Sequence, residues 1–194
     1  MSADPDCYKT NPRPKTEWFE GRQGKLANVL VYATSEVLDS YAFEQPDSPV
    51  VLLQKGCRYE PHVLGLRVGQ TLSIENLDET QNNVHPTPKL NPEWNQSQPV
   101  GAAPLLKTFM RPEISIPFKD NMHPWKKAYV GVFIHPFFAV TDADGNYSIQ
   151  GLPPGSYTIT AWHERLGEKK VDLVIVPGES RFLAFDFSAP HSKQ

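Results

Sequence analysis

The sequence predicts an all-β fold, a β-sandwich, and three observations carry that expectation. The chain of 194 residues holds 19 prolines, about twice the usual ~5% share, and proline at that density breaks helices. Apolar residues alternate with polar ones in about eleven short runs, separated by turn residues every ~8–12 positions. No segment sustains a helical period. With 39% hydrophobic and 21% charged residues the chain falls outside the disordered class. A net charge of −3 and a pI near 6.1 give no global basic field for nucleic acid. No run approaches ~18 apolar residues, so no transmembrane helix is predicted.

Residues 1–24 are polar and proline-bearing and read as an arm. The first strand is predicted over Lys25–Ala33, and 35–49 as a loop or single helical turn. Strands follow at Val50–Gln54, Tyr59–Arg67 and Thr71–Glu75, the last two divided by the turn Val68-Gly69-Gln70. Residues 76–104 form a long polar segment, read as a loop; loops of that length are functional or disordered. Strands resume at Leu105–Met110, Glu113–Phe118, Lys127–Ile134 and Phe137–Thr141. Asp142-Ala143-Asp144-Gly145-Asn146 is a tight turn, because Asp-Gly supplies the positive φ such turns need. Tyr147–Gln150, Ser156–His163, Lys169–Val176 and Arg181–Ser188 complete the strands.

The only two cysteines, Cys7 and Cys57, do not form a CxxC pair. Two readings stand: free buried thiols, or a disulfide holding down a polar arm that has little else to anchor it. A bridge closing about 50 residues is worth ~4 kcal/mol in the chain-entropy model and implies an oxidising compartment. The first residues carry neither a basic n-region nor an apolar h-region. That fits a cytoplasmic chain, or a mature one whose leader has been removed. No G-x-S-x-G, H-E-x-x-H, P-loop or G-x-G-x-x-G motif occurs, so no enzyme is predicted.

Two stretches resemble known families. DADGNYSIQGLPPGSYTITAWHE at 142–164, with GKLANVLVYA at 24–33, resembles the carboxypeptidase-regulatory-like (transthyretin-like) β-sandwich. The residues between those stretches resemble a cupredoxin. CRYEPHVLGLRVGQTLSIENLDETQNNVH at 57–85 is similar to the strand pair leading to the first copper loop, and EISIPFKDNMHPWKKAYVGV at 113–132 to the strand–loop–strand carrying the other ligands. The whole chain resembles bacterial periplasmic cupredoxin-like proteins of the methylamine-utilisation type. The resemblance implies a cupredoxin-like sandwich over 50–135, inserted into a regulatory-like sandwich formed by 25–49 and 136–189. It also implies a periplasmic or secreted location.

The family's first loop reads H-N-V-H and its second C-D-V-H-P-W-M. Here the first reads Asn82-Asn83-Val84-His85, and the second Asp120-Asn121-Met122-His123-Pro124-Trp125-Lys126. By resemblance the ligand positions are therefore Asn82, Asp120, His123 and Lys126, and only His123 keeps a ligand. Blue copper needs a His₂Cys plane, and no cysteine stands in either loop, so no cofactor is expected. An Asp120–Lys126 ion pair would fill the place. The alternative is a non-blue copper or zinc centre of Asp120, His123 and His85, since imidazole and carboxylate suit either metal. His62, His135 and His163 read as hydrogen-bonded structural histidines at strand ends. Asp142 and Asp144 serve the turn, with calcium as their alternative.

These readings leave a non-enzymatic accessory or structural subunit that binds a protein partner, with Trp94 and Trp125 as candidate contacts. A copper carrier with a non-blue centre is the runner-up. A carbohydrate- or surface-binding module rests on fold analogy alone.

Overall fold

The computed structural model describes residues 4–12 and 19–187. In chain order it holds helix α1 (Pro5–Thr10), strand β1 (Leu30–Thr34), a 3₁₀ turn (Glu36–Ser40), β2 (Val50–Lys55), β3 (Arg58–Glu60), β4 (Val63–Arg67), β5 (Thr71–Asn76), β6 (Asn82–Pro86), β7 (Gln96–Gln98), β8 (Leu105–Thr108), β9 (Glu113–Lys119), β10 (Lys127–Phe133), β11 (Phe138–Val140), β12 (Gly155–His163) and β13 (Gly167–Ile175). The all-β class is as the sequence predicts. None of these helices is long and apolar enough to cross a membrane among the described residues.

The chain divides into two compact units: Met1–Glu17 with Gln45–Ile134, and Trp18–Glu44 with His135–Gln194. The first unit has two sheets, ordered β4-β10-β9-β6-β7 and β3-β2-β5-β8. Both are mixed. β10 runs parallel to β4 and antiparallel to β9, and β2 runs parallel to β5 and antiparallel to β3. Period-2 alternation turns one face of each sheet inward. Leu52, Leu72 and Ile74 from one sheet thus pack with Leu64, Leu66, Val84, Ile116, Phe118, Val130 and Val132 from the other in one buried core. Trp94 closes edge-on over Phe118, and Lys107 caps its ring at 4.6 Å.

The second unit has one sheet, β11-β1-β12-β13. Val31 and Ala33 of β1 pack with Tyr157, Ile159 and Ala161 of β12 and with Leu38 and Phe137. In the Asp142 turn, Gly145 takes φ +74 and the Asp142 carboxylate accepts from the Asp144 and Asn146 amides at 2.9 Å each.

Several sequence expectations are corrected. The polar stretch 76–104 holds β6 and β7, because their backbones pair although most of their side chains are Asn, His, Gln and Ser, with Val84 the one core residue among them. The strand predicted over Tyr59–Arg67 is split at Pro61, which has no N–H to give a ladder. The first strand starts at Leu30 rather than Lys25: Asn28 sits at φ +61, and the Val29 amide bonds the Thr141 hydroxyl. Tyr147–Gln150 and Arg181–Ser188 form no ladder over their described residues. Their alternate side chains Tyr147, Ile149, Leu183, Phe185 and Phe187 still pack on the core, and the Tyr147 hydroxyl donates to the Leu183 carbonyl at 2.8 Å. The arm contains a helical turn that the pattern of the sequence did not predict. Asp4 caps it, accepting from the Asp6 and Cys7 amides at 3.0 Å each.

Candidate functional site

The loop joining β9 to β10 turns all its ionisable side chains inward. Asp120 folds it: one carboxylate oxygen accepts from the Met122 amide at 2.8 Å and the His123 amide at 3.0 Å, an Asx turn. The other oxygen accepts from the Asn83 amide at 3.1 Å, His123 Nδ1 at 3.2 Å and Lys126 Nζ at 3.2 Å. Asp120, His123 and Lys126 are all at most 2% exposed.

Burial alone would raise the Asp120 pKa. The bond from His123, the Lys126 charge and the backbone donors outweigh it and hold the group at about 2. Lys126 is lowered to about 8, with burial the largest cause and Asp120 and Asp78 opposing it. Its ammonium also donates to Gln54 Oε1 at 2.7 Å and lies 4.6 Å from the centre of the Tyr59 ring. Gln54 passes the chain of bonds on to Gln98 at 2.5 Å. The Tyr59 phenol is raised by burial and by the Asp120 charge, and donates to a backbone carbonyl, with Asn83 O and Lys119 O both at 3.1 Å.

His123 stands between two carboxylates. Nδ1 faces Asp120, and Nε2 faces Asp4 Oδ2 at 3.0 Å. Burial pulls its pKa down, and the two carboxylates more than reverse that, leaving it raised. Asp4 also accepts from the Thr80 hydroxyl at 2.7 Å. Burial pulls its own pKa up, and the Cys7 amide, the Thr80 hydroxyl, His123 and the Asp6 amide outweigh that and hold it at about 2. The arm is tied here by a disulfide, Cys7–Cys57, with Cα atoms 5.5 Å apart. The Trp125 indole donates to the Cys57 carbonyl at 3.0 Å, and its ring lies 5.3 Å from that of His123.

The remaining site residues are placed as follows. Asn82 is fully buried, and its amide donates to Asn76 at 2.7 Å and Asp78 at 3.0 Å. Its carbonyl oxygen has no hydrogen-bond donor among the described residues. His85 does not join Asp120 and His123 as the alternative metal set required. Its Nε2 meets Glu93 at 2.7 Å and its Nδ1 meets Asn121 at 3.2 Å. Trp94 and Trp125, the candidate contacts, are half-buried and already engaged with the core and with Cys57. Outside the loop, His62 Nδ1 lies 3.0 Å from the Lys127 carbonyl, while Nδ1 of His135 and of His163 accepts a backbone amide at 3.2 Å. Sequence reasoning missed Asp4, Gln54, Gln98 and Tyr59.

No protein-family model and no curated protein matches the chain. Among solved structures its neighbours are cupredoxins and a copper enzyme. It is similar to the copper-containing nitrite reductase of Thermus scotoductus SA-01, at 20% identity over 47% of this chain and 24% of that one, TM-score 0.40. This chain thus spans about a quarter of that enzyme. It is similar to a methionine-to-alanine mutant of amicyanin in the Cu(I) state, at 23% identity over 53% of this chain and 97% of that one, TM-score 0.39. A purple cupredoxin from Nitrosopumilus maritimus aligns at 18% identity over 43% and 98%, TM-score 0.36.

The donor set does not fit blue copper. Neither loop supplies a thiolate, and of the four positions that the resemblance marks, the last holds an ammonium, Lys126, bonded to the carboxylate at the second, Asp120.

Proposed function

We propose that this chain is a non-enzymatic, extracytoplasmic accessory or structural subunit. In this reading a cupredoxin-like sandwich has exchanged its electron-transfer site for a polar plug and works by binding a protein partner. The observation that carries it is the Lys126–Asp120 pair, 3.2 Å apart with both side chains fully buried. A cation entering there would meet a positive charge already bonded on two sides. The resemblance at 57–85 and 113–132, together with the mixed two-sheet arrangement of the first unit, supports the cupredoxin-like reading. The Cys7–Cys57 bridge supports an oxidising location.

A copper titration tests it. The protein with Cu(II) shows no intense blue band and no stoichiometric binding at this loop. Asn82→His, Asp120→Cys and Lys126→Met together rebuild a His₂Cys-Met set and bring the band back. Wild-type protein that copurifies with one copper per chain would overturn the plug and favour the non-blue copper carrier.

A further inference from the structure

Nε2 of His123, the Asp4 carboxylate and the Cys7 sulfur have their ligand atoms within 4.8 Å of one another. All three lie in the first unit. In the disulfide the Cys7 sulfur is no thiolate, and thiolate is the form that binds metal. Reduction supplies it. A dithiol, small or protein-borne, gives up two electrons and two protons; the S–S bond breaks, two thiols form, and the reductant leaves as its own disulfide.

We propose that reduction of Cys7–Cys57 turns this corner into a site for a zinc-class ion, held by Cys7 Sγ, His123 Nε2 and Asp4, with water as the fourth ligand. Thiolate, imidazole and carboxylate are the ordinary zinc ligands. Binding displaces the Cys7 thiol proton and the proton that Nε2 shares with Asp4, and the Cys57 thiol keeps its own.

The surroundings are already built for such an ion. A metal-bound histidine donates its other ring nitrogen to a carboxylate or carbonyl, which fixes tautomer and orientation. His123 Nδ1 faces Asp120 at 3.2 Å. Asp120 is itself held by Lys126 Nζ, by the Asn83 amide and by the turn. In this site Asp120 orients rather than ligates, and Lys126 sits behind it. Asp4 is placed by the Thr80 hydroxyl and by the first turn of α1, which also carries Cys7. The reading of Asn82, Asp120 and Lys126 as a lost blue-copper site can fail without touching this proposal, since the metal approaches His123 from the arm side.

The test uses the full chain and Co(II) as the probe. Protein is reduced with dithiothreitol, freed of it under argon, and titrated. The reduced chain takes one Co(II) with a thiolate-to-cobalt charge-transfer band, and the disulfide form shows no such band. Cys57→Ser, which leaves Cys7 free, gives the band with no reductant. Asp120→Asn keeps the band and weakens binding by about 10–100-fold, the usual effect of losing a histidine's supporting partner. His123→Gln and Asp4→Ala weaken binding in the Cys57→Ser background, with folding checked by circular dichroism. A reduced chain that unfolds or lacks the band overturns the proposal. So does a band undiminished in both His123→Gln and Asp4→Ala.

Discussion

Replacing Lys126 by methionine separates the energetics of a buried charge from those of its shape. At about 8, down from 10.5, the lysine pKa weighs ~3 kcal/mol against the charged form, at ~1.4 kcal/mol per pH unit. That figure already includes the attraction of Asp120. Lys126→Met removes this cost. It also leaves Gln54 Oε1 without its 2.7 Å donor, a loss of ~1–3 kcal/mol for a buried acceptor. Asp120 keeps His123 and its backbone donors. The two effects nearly cancel, so at pH 7 the variant lies within ~2 kcal/mol of wild type. That is short of the ~3–5 kcal/mol lost when a buried ion is left alone. The decisive signature is in pH. Between 8 and 10.5 the unfolded chain holds the lysine proton and the folded one does not. Wild-type stability from this group therefore rises with pH across that window and is absent below 8. Urea unfolding followed by tryptophan fluorescence should show wild type gaining ~3 kcal/mol on the variant between pH 7.5 and 10.5. A difference that stays flat, or a variant more than ~3 kcal/mol weaker at pH 7 with Asp120 stranded, refutes the reasoning.

Asp120 acts on the acid side. Its folded pKa of about 2 against 3.8 gives ~2 kcal/mol that is present above pH 3.8 and lost as pH falls through 2. Asp120→Asn flattens that acid limb and, by parting buried Lys126 and His123 from their shared anion, costs ~3–5 kcal/mol at pH 7; acid titration of both proteins by circular dichroism checks it. Reducing Cys7–Cys57, 50 residues apart, lowers the unfolding free energy by ~4 kcal/mol; a Cys7→Ser, Cys57→Ser chain that unfolds at the wild-type urea midpoint would contradict it. Phe118, fully buried between Trp94 and Phe109, should cost ~3–5 kcal/mol as Phe118→Ala, read from the shift in thermal midpoint.

Asp120, His123 and Lys126 were legible together because one loop carries them at intervals of three residues. Asp4 was not. It reaches His123 from 119 positions away, and nothing local marks an N-cap aspartate as a partner of a distant histidine. Gln54 and Gln98 meet inside the sandwich from strands β2 and β7. A buried amide breaks the apolar pattern from which strands are read, so Gln98 hides β7, while Gln54 ends a strand that was read and only its contact stayed hidden. β6 was missed for the same reason: Asn82 and Asn83 are buried in a ladder by hydrogen bonds rather than by hydrophobicity. Conversely, Leu183, Phe185 and Phe187 alternate like a strand, and their burial satisfies that pattern without any ladder.

The pairing of β1 with β12 sets a timetable. Val31 faces Ala139 of β11 on one side and Ala161 of β12 on the other, so the two partners of β1 emerge about 110 and 130 residues after it. At ~5–20 residues per second of synthesis, the wait is on the order of ten seconds. Strands β2 to β10 pair only among themselves, and the whole of that unit is finished before β12 exists. Until β11 and then β12 arrive, Leu30, Val31 and Ala33, all fully buried in the end, lie on a strand with open edges. The early strand is therefore the chain's point of exposure to chaperones, and to exchange with the late strand of a second nascent copy.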